Sequence, residues 1–328
     1  MRFLILISFA VLVTLSACER VDDLEVVRPV SVVPRASLPV ARASARVFTL
    51  NGKAYVLGGR QSGDARNPNY CSDMWSYDPT SDAWQKETTP PMAPRVQAVA
   101  ATIGDKAYYG LGFGGTGPYE LSIYHCDFWQ YDGKEWKQLS DFPAEGSDAL
   151  VVFPTDTALF VCLGYNPIFQ PEVYCYHVKT DKWTQCRNSD YIDPAAGCVG
   201  GYAGGRYFAG GGFMEVTYQQ WSEYNPTTDT WQRRQQMPNP GRLFAATAST
   251  KNEILMFGGM IWGSATMGGG ATNTIYSYDV ERDQWEMRGH LPNKMMNNIA
   301  FAIGERLFCG LGEDSDGKVS DKIYEIIP

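Results

Sequence analysis

A period of about fifty residues dominates this chain of 328. Tryptophans that follow turns stand at Trp84, Trp136, Trp183, Trp231 and Trp285, spaced by 52, 47, 48 and 54. A tyrosine precedes each, at Tyr77, Tyr131, Tyr176, Tyr224 and Tyr278; four of the five intervals are seven residues and the second is five. Glycines that end short apolar runs keep the same beat at Gly59, Gly112, Gly164, Gly212, Gly259 and Gly312. Self-similarity at such a period marks an array of like modules. A continuous apolar run bounded by glycine, such as Ala54-Tyr55-Val56-Leu57-Gly58-Gly59, reads as a strand buried on both faces. An ordinary sandwich rich in tryptophan would not hold a fixed period.

Each unit supplies four strands, a to d. Strand a precedes a tight turn such as Asn51-Gly52, strand b is the apolar run, and strand c carries Asp73-Met74-Trp75-Ser76-Tyr77 or its equivalents. Strand d starts at the tryptophan after turns such as Asp78-Pro79-Thr80-Ser81-Asp82. The glycine doublet, the Tyr-to-Trp interval and the four strands together resemble the kelch repeat. The resemblance covers residues 30 to 328, although Leu111-Gly112, Leu163-Gly164 and Leu311-Gly312 depart from the doublet. It implies an all-β fold, a six-bladed kelch β-propeller with four antiparallel strands per blade. The units fall at about 42–93, 95–143, 147–192, 195–239, 242–292 and 295–328.

The sixth unit is unfinished: Lys322-Ile323-Tyr324-Glu325-Ile326 forms strand c and the sequence stops at Pro328. An open propeller would present a raw sheet edge. Counting back from Arg42 by the eleven residues that separate equivalent starts places Ser31 at the missing strand d. The β-branched segment 26–34 is therefore expected to close the last blade.

The first residues read as an address. Met1-Arg2 and a dozen apolar residues look like a secretory signal, too short for a comfortable membrane span. Leu15-Ser16-Ala17-Cys18 resembles a bacterial lipobox, which implies removal of 1–17 and acylation of Cys18. Residues 18–25 would then be an acidic tether, weakly similar to surface-export signals of Bacteroidetes lipoproteins. Phrases such as Gly104-Asp105-Lys106-Ala107-Tyr108 resemble envelope kelch proteins of that group. The expected location is the cell envelope, lipid-anchored at the outer membrane, with membrane contact through the N-terminal lipid only. The net charge is −8, which would repel a polyanion, so no nucleic-acid partner is expected.

Seven cysteines remain after Cys18, with no CxxC pair or zinc spacing. Cys175 and Cys186 stand equidistant from the turn Lys179-Thr180-Asp181-Lys182, which suggests a cross-hairpin disulfide. Only His125, His177 and His290 are available, in unrelated repeat positions. The copper site of galactose oxidase, a more distant kelch propeller, needs two histidines and two tyrosines. No metal and no cofactor is expected. The acidic turn 313–317 lacks the EF-hand spacing.

The expected binding face carries the b–c loops 60–72, 113–126, 165–171, 213–219, 260–273 and 313–320, because loops on a rigid scaffold carry function. Tyr70, Tyr119, Tyr124, Glu215 and Trp262 on these loops suit a glycan or an envelope protein. Arg42, Arg95 and Arg242 occupy equivalent positions at the start of strand a and would gather near one mouth of the channel, a positive focus for a carboxylate. Against this, kelch arginines at that position often bond backbone carbonyls. The expectation is a non-catalytic binding protein with no catalytic residues. The alternative is a sugar mutarotase similar to N-acetylneuraminate epimerase. There Glu215, Glu313 or Glu145 would act as acid or base, and Arg95 or Arg242 would hold the sugar carboxylate. That enzyme's Asn-Gly-Glu with a nearby Arg has no clear match, and fold alone licenses no activity.

Overall fold

A computed structural model describes residues 24–62, 68–115, 123–186, 193, 195–263 and 269–328. Cys18, Tyr119 and the signal segment lie outside the described residues. The described chain is all β: six small antiparallel sheets of four strands form a six-bladed propeller. Blade one is Arg46–Leu50, Lys53–Leu57, Met74–Asp78 and Ala83–Lys86. Blade two is Val99–Ile103, Lys106–Gly110, Phe128–Tyr131 and Trp136–Gln138. Blade three is Val151–Pro154, Ala158–Asn166, Ile168–His177 and Lys182–Gln185. Blade four is Ala196–Ala203, Arg206–Phe213, Trp221–Asn225 and Thr230–Arg233. Blade five is Ala246–Ser249, Glu253–Phe257, Gly270–Asp279 and Gln284–Met295. Blade six is Ile299–Ile303, Arg306–Gly310 and Ile323–Ile327, completed by Ser31–Arg35 from the other end of the chain.

That closing strand pairs antiparallel with strand c from Ser31↔Ile327 to Arg35↔Ile323. Its outward arginine, Arg35, meets Glu325, which also takes Arg306 at 2.6 Å. The expected strand was 26–34; residues 26–30 instead run beside the outer strand of blade five. There Val27 and Val30 donate to the carbonyls of Met287 and Arg288, and Arg28 pairs with Glu253 and Glu286. The clasp thus crosses two blades.

The sequence markers have physical causes. In four blades the tyrosine hydroxyl donates to an aspartate five residues on, as in Tyr77 to Asp82 at 2.7 Å and Tyr278 to Asp283 at 2.7 Å. The aspartate sits in the left-handed region and the tryptophan follows two residues later, which fixes the interval at seven. In blades one, three and five that aspartate accepts a backbone N–H from the preceding blade, and the tryptophan indole donates to the same residue's carbonyl. The second glycine of each doublet is packed tight: a Cβ on Gly59, at φ +90°, would sit 2.8 Å from the Ala43 carbonyl oxygen. The first position needs left-handed backbone more than it needs glycine, and Leu111, Leu163 and Leu311 adopt it at φ 56–58°. One apolar cluster fills each interface between neighbouring blades.

Two further expectations are corrected. Residues 165–171 are not an open loop, because strands b and c of blade three continue pairing to Asn166↔Ile168. Cys175 does not face Cys186. The hairpin closes at His177↔Lys182, so Cys175 opposes Thr184, Cys186 bonds back to Val173, and both thiols are free. All seven described cysteines are free.

Candidate functional site

The start of strand a bends each blade toward the axis. Ser44, Gln97, Ala149, Gly197, Phe244 and Asn297 occupy the equivalent position, all at φ between 50 and 69°. Their backbones link successive blades: Ser44 N–H donates to Asn297, Gln97 to Ser44, Phe244 to Gly197 and Asn297 to Phe244, at 2.8–3.0 Å. Two residues earlier lie the three arginines. Their carbonyls accept N–H groups from the preceding blade's doublet, as in Gly59 to Arg95 and Gly212 to Arg242, both at 2.8 Å.

The arginine side chains bond to the protein itself. All three are at most 1% exposed. Arg42 donates to the Gly58 carbonyl and pairs with Asp73 at 2.9 Å. Arg95 donates to the Leu111 carbonyl and grips Asp127 through two bonds, at 2.6 and 2.9 Å. Burial pushes the Asp127 carboxyl up, but Arg95 outweighs it and holds the group below the usual carboxylate range. Arg242 meets the Gly241 carbonyl, Thr274 Oγ1 and Tyr276, whose side chain also bonds it and whose ring centre lies 5.2 Å from the guanidinium carbon, with no carboxylate paired to it among the described residues. Its Nε has no partner among the described residues, and burial lowers its pKa. In place of a positive focus, these contacts match the other reading the sequence offered, arginines bonded to backbone carbonyls, with side chains of strand c added.

Other charges surround the axial mouth. Glu313, 2% exposed, accepts from Arg60 at 2.5 Å and from Asn297 at 2.9 Å, while its Oε2 has no partner among the described residues. Gln97 reaches the Asn297 side chain at 3.3 Å. Burial raises the Asp148 carboxyl to about 7, opposed by the charge of Arg46. Arg46 itself donates to the Ala98 carbonyl at 2.6 Å. Sequence reading singled out neither Asp148 nor Arg46. Below the mouth, strand a of the blades lines an axial cavity of about 460 Å³, walled largely by alanine, glycine and threonine.

The expected loop residues do not form one cluster. Tyr70 bridges to Arg60 on blade one; Tyr124 packs on Phe113 of blade two, its ring centroid 4.9 Å away, and burial pushes its hydroxyl up to about 12. Neighbouring His125 is buried, which lowers its pKa to about 4 and leaves it neutral. Glu145 is exposed. The structure does bring Glu215 and Trp262 together. They line one cavity of about 400 Å³ between the loops of blades four and five, with Tyr218, Gln219, Gln220 and Arg233. Trp262 is 47% exposed and stacks on Phe213, with centroids 4.7 Å apart and planes at 17°. Its backbone N–H donates to Thr217 Oγ1 at 2.8 Å, tying the two loops. An aromatic face beside amides, a carboxylate and a guanidinium can stack on a sugar ring and bond its hydroxyls. Among the described residues no group of three or more His, Cys, Asp or Glu could hold a metal ion.

Known proteins are similar to this chain. The family described as KLHDC2/KLHL20/DRC7 Kelch-repeats domain matches residues 21–199, and the Kelch motif matches residues 241–291. Kelch-like protein terF of Aspergillus terreus (strain NIH 2624 / FGSC A1156) is 25% identical over 248 residues, 71% of this chain and 52% of that protein. N-acetylneuraminate epimerase of Pasteurella multocida (strain Pm70) is 24% identical over 261 residues, 65% of each. The chain spans less than two thirds of the length of these curated relatives. The solved structure of YjhT aligns at a TM-score of 0.74 and 16% identity, over 90% of this chain and 99% of that one, a likeness of fold.

Proposed function

This chain belongs to the kelch-repeat family, and from that premise we propose that it is a non-catalytic glycan-binding propeller acting through the loops of blades four and five. The observation that carries the reading is the exposed Trp262, stacked on Phe213 beside a cavity lined by Glu215 and amides. Flat aromatic area held rigid by a neighbour binds at low entropic cost. Trp262→Ala and Glu215→Gln, tested on a glycan array, should each lower the signal at least fivefold with unchanged Tm. Undiminished binding by both variants would remove this face as the site, and a protein partner captured equally by wild type and Trp262→Ala would reassign the function to protein binding. The lipid at Cys18 would hold the propeller at the envelope. Cys18→Ala should then move the protein from the membrane to the soluble fraction.

A second reading rests on the axial mouth. Glu313 keeps one oxygen without a partner among the described residues, beside Arg60 and Asn297, and a relative named N-acetylneuraminate epimerase covers 65% of this chain. A carboxylate so placed could relay the proton that opens and recloses a sugar hemiketal. Arg95 and Arg242, expected to hold the substrate carboxylate, are buried inside their blades, so Arg60, whose side chain is 18% exposed, would take that part by sharing its guanidinium between Glu313 and the substrate. Anomer interconversion of N-acetylneuraminate followed by NMR separates the readings: a rate above buffer that Glu313→Gln abolishes supports catalysis, and a rate equal to buffer ends it.

A further inference from the structure

A second cavity, of about 490 Å³, lies on the rim between blades four and five, below the loop-face cavity. Both are lined by Gln219 and Gln236, so they form two ends of one groove. Leu24 walls the lower end, where it packs against the blade four–five core. Trp285 stands there as Trp262 does above, although its indole N–H is held by the Gln235 carbonyl.

The lining of the groove is rich in side-chain amides. The amides of Gln235, Gln236 and Gln284 make no side-chain hydrogen bond among the described residues, and all three residues are exposed. A primary amide offers two donors and an acceptor without charge, the complement of a vicinal pair of hydroxyls. Arg233 is the one basic residue lining the groove among the described residues, against Asp193, Glu215 and Asp283, so a polyanion is disfavoured. Each end has the volume of a ligand site of its own, more than one sugar unit needs.

We propose that this rim holds a neutral, linear oligosaccharide whose successive units run from the Trp262 cavity over Gln236 to Gln284. The proposal rests on the glycan reading above and names its ligand class. Isothermal titration with malto-, cello-, xylo- and manno-oligosaccharides of two and six units tests it. In at least one series the hexasaccharide should bind tenfold or more tightly than the disaccharide. The double variant Gln235→Ala/Gln284→Ala should erase that gain while disaccharide affinity and Tm stay unchanged, and Trp262→Ala should weaken both lengths. Equal affinity for the two lengths would overturn the extended groove and leave the upper cavity standing. Tighter binding of oligogalacturonate than of every neutral series would overturn the neutral class. Absence of binding at both lengths in all series would overturn this proposal, and retained glycan-array signal would show that the upper site survives it.

Discussion

Blades one and two answer a buried arginine in one way and blade five in another. Arg42 and Arg95 each meet an aspartate at the start of strand c, Asp73 and Asp127. The same carboxylates accept an indole N–H, from Trp75 and Trp129 at 2.6 Å. In blade five the corresponding residue is Thr274, and the aromatic two residues on is Tyr276. Arg242 is as buried as the others, yet it has a carbonyl, a hydroxyl and a ring face instead of a counter-ion. One repeat position therefore carries a satisfied ion pair on one side of the ring and an under-paired cation on the other. Position in a repeat fixes the backbone; the partner decides what the side chain does.

The largest effect should come from breaking a satisfied pair. Asp127→Ala strands the Arg95 guanidinium without its counter-ion, and loss of one partner of such a pair costs about 3–5 kcal/mol. Urea denaturation measures it, and a loss under about 1 kcal/mol would mean that Arg95 is held by carbonyls alone.

Acidity offers the next test, with opposite signs on two carboxylates. Asp127 is held below its usual range, so its stabilisation is present at neutral pH and is lost as pH falls through the folded value. Asp148 is raised from 3.8 to about 7 by burial. Between those values the folded state keeps a proton that the unfolded state has released, so this group favours folding at low pH and its contribution falls as pH rises toward 7. Denaturation at pH 5 and pH 8 should show Asp148→Asn relatively more stable than wild type at pH 8. Parallel profiles for the two proteins would contradict the burial of Asp148.

A transplant sharpens the contrast. Thr274→Asp would give Arg242 the partner that Arg42 and Arg95 have, and a charge-assisted hydrogen bond contributes about 1.5–3 kcal/mol. A rise in the urea midpoint with unchanged slope is expected; a fall would show that the hydroxyl and the Tyr276 ring already suit the cation.

Much of the ring was legible because its markers are backbone demands. Left-handed positions, the Tyr–Asp clip and the closing strand leave traces in the order of residues, and an open sheet edge is costly enough to predict its cover. The site was less legible. Glu215 and Trp262 sit 47 residues apart on loops of different blades, and only packing makes them neighbours. Asp148 resembles any turn aspartate until its surroundings are known. The cysteine pair misled because equal distance from a turn does not fix register; the hairpin closed two positions away from the symmetric choice. One signal was present and unread: Asp-x-Trp at 73–75 and 127–129 marks blades whose arginine is already engaged, and its absence in blade five marks Arg242 as different.

The smallest effect should follow from Arg242→Met. A buried cation gains from its partners only what exceeds its desolvation, and replacing a poorly compensated one with an apolar side chain of similar length is often neutral or stabilising. Among the described residues Arg242 Nε has no partner, and burial lowers the pKa of the group. Methionine can fill the same slot over Tyr276, since it adapts to irregular space and its sulfur tolerates an aromatic neighbour. A stability within about 1 kcal/mol of wild type is therefore expected, beside a much larger loss for Arg95→Met, which leaves the half-buried Asp127 without its cation. Equal losses in the two variants would erase the distinction between the two sides of the ring, and would mean that bonds to carbonyls, not the aspartates, hold the kelch arginines in place.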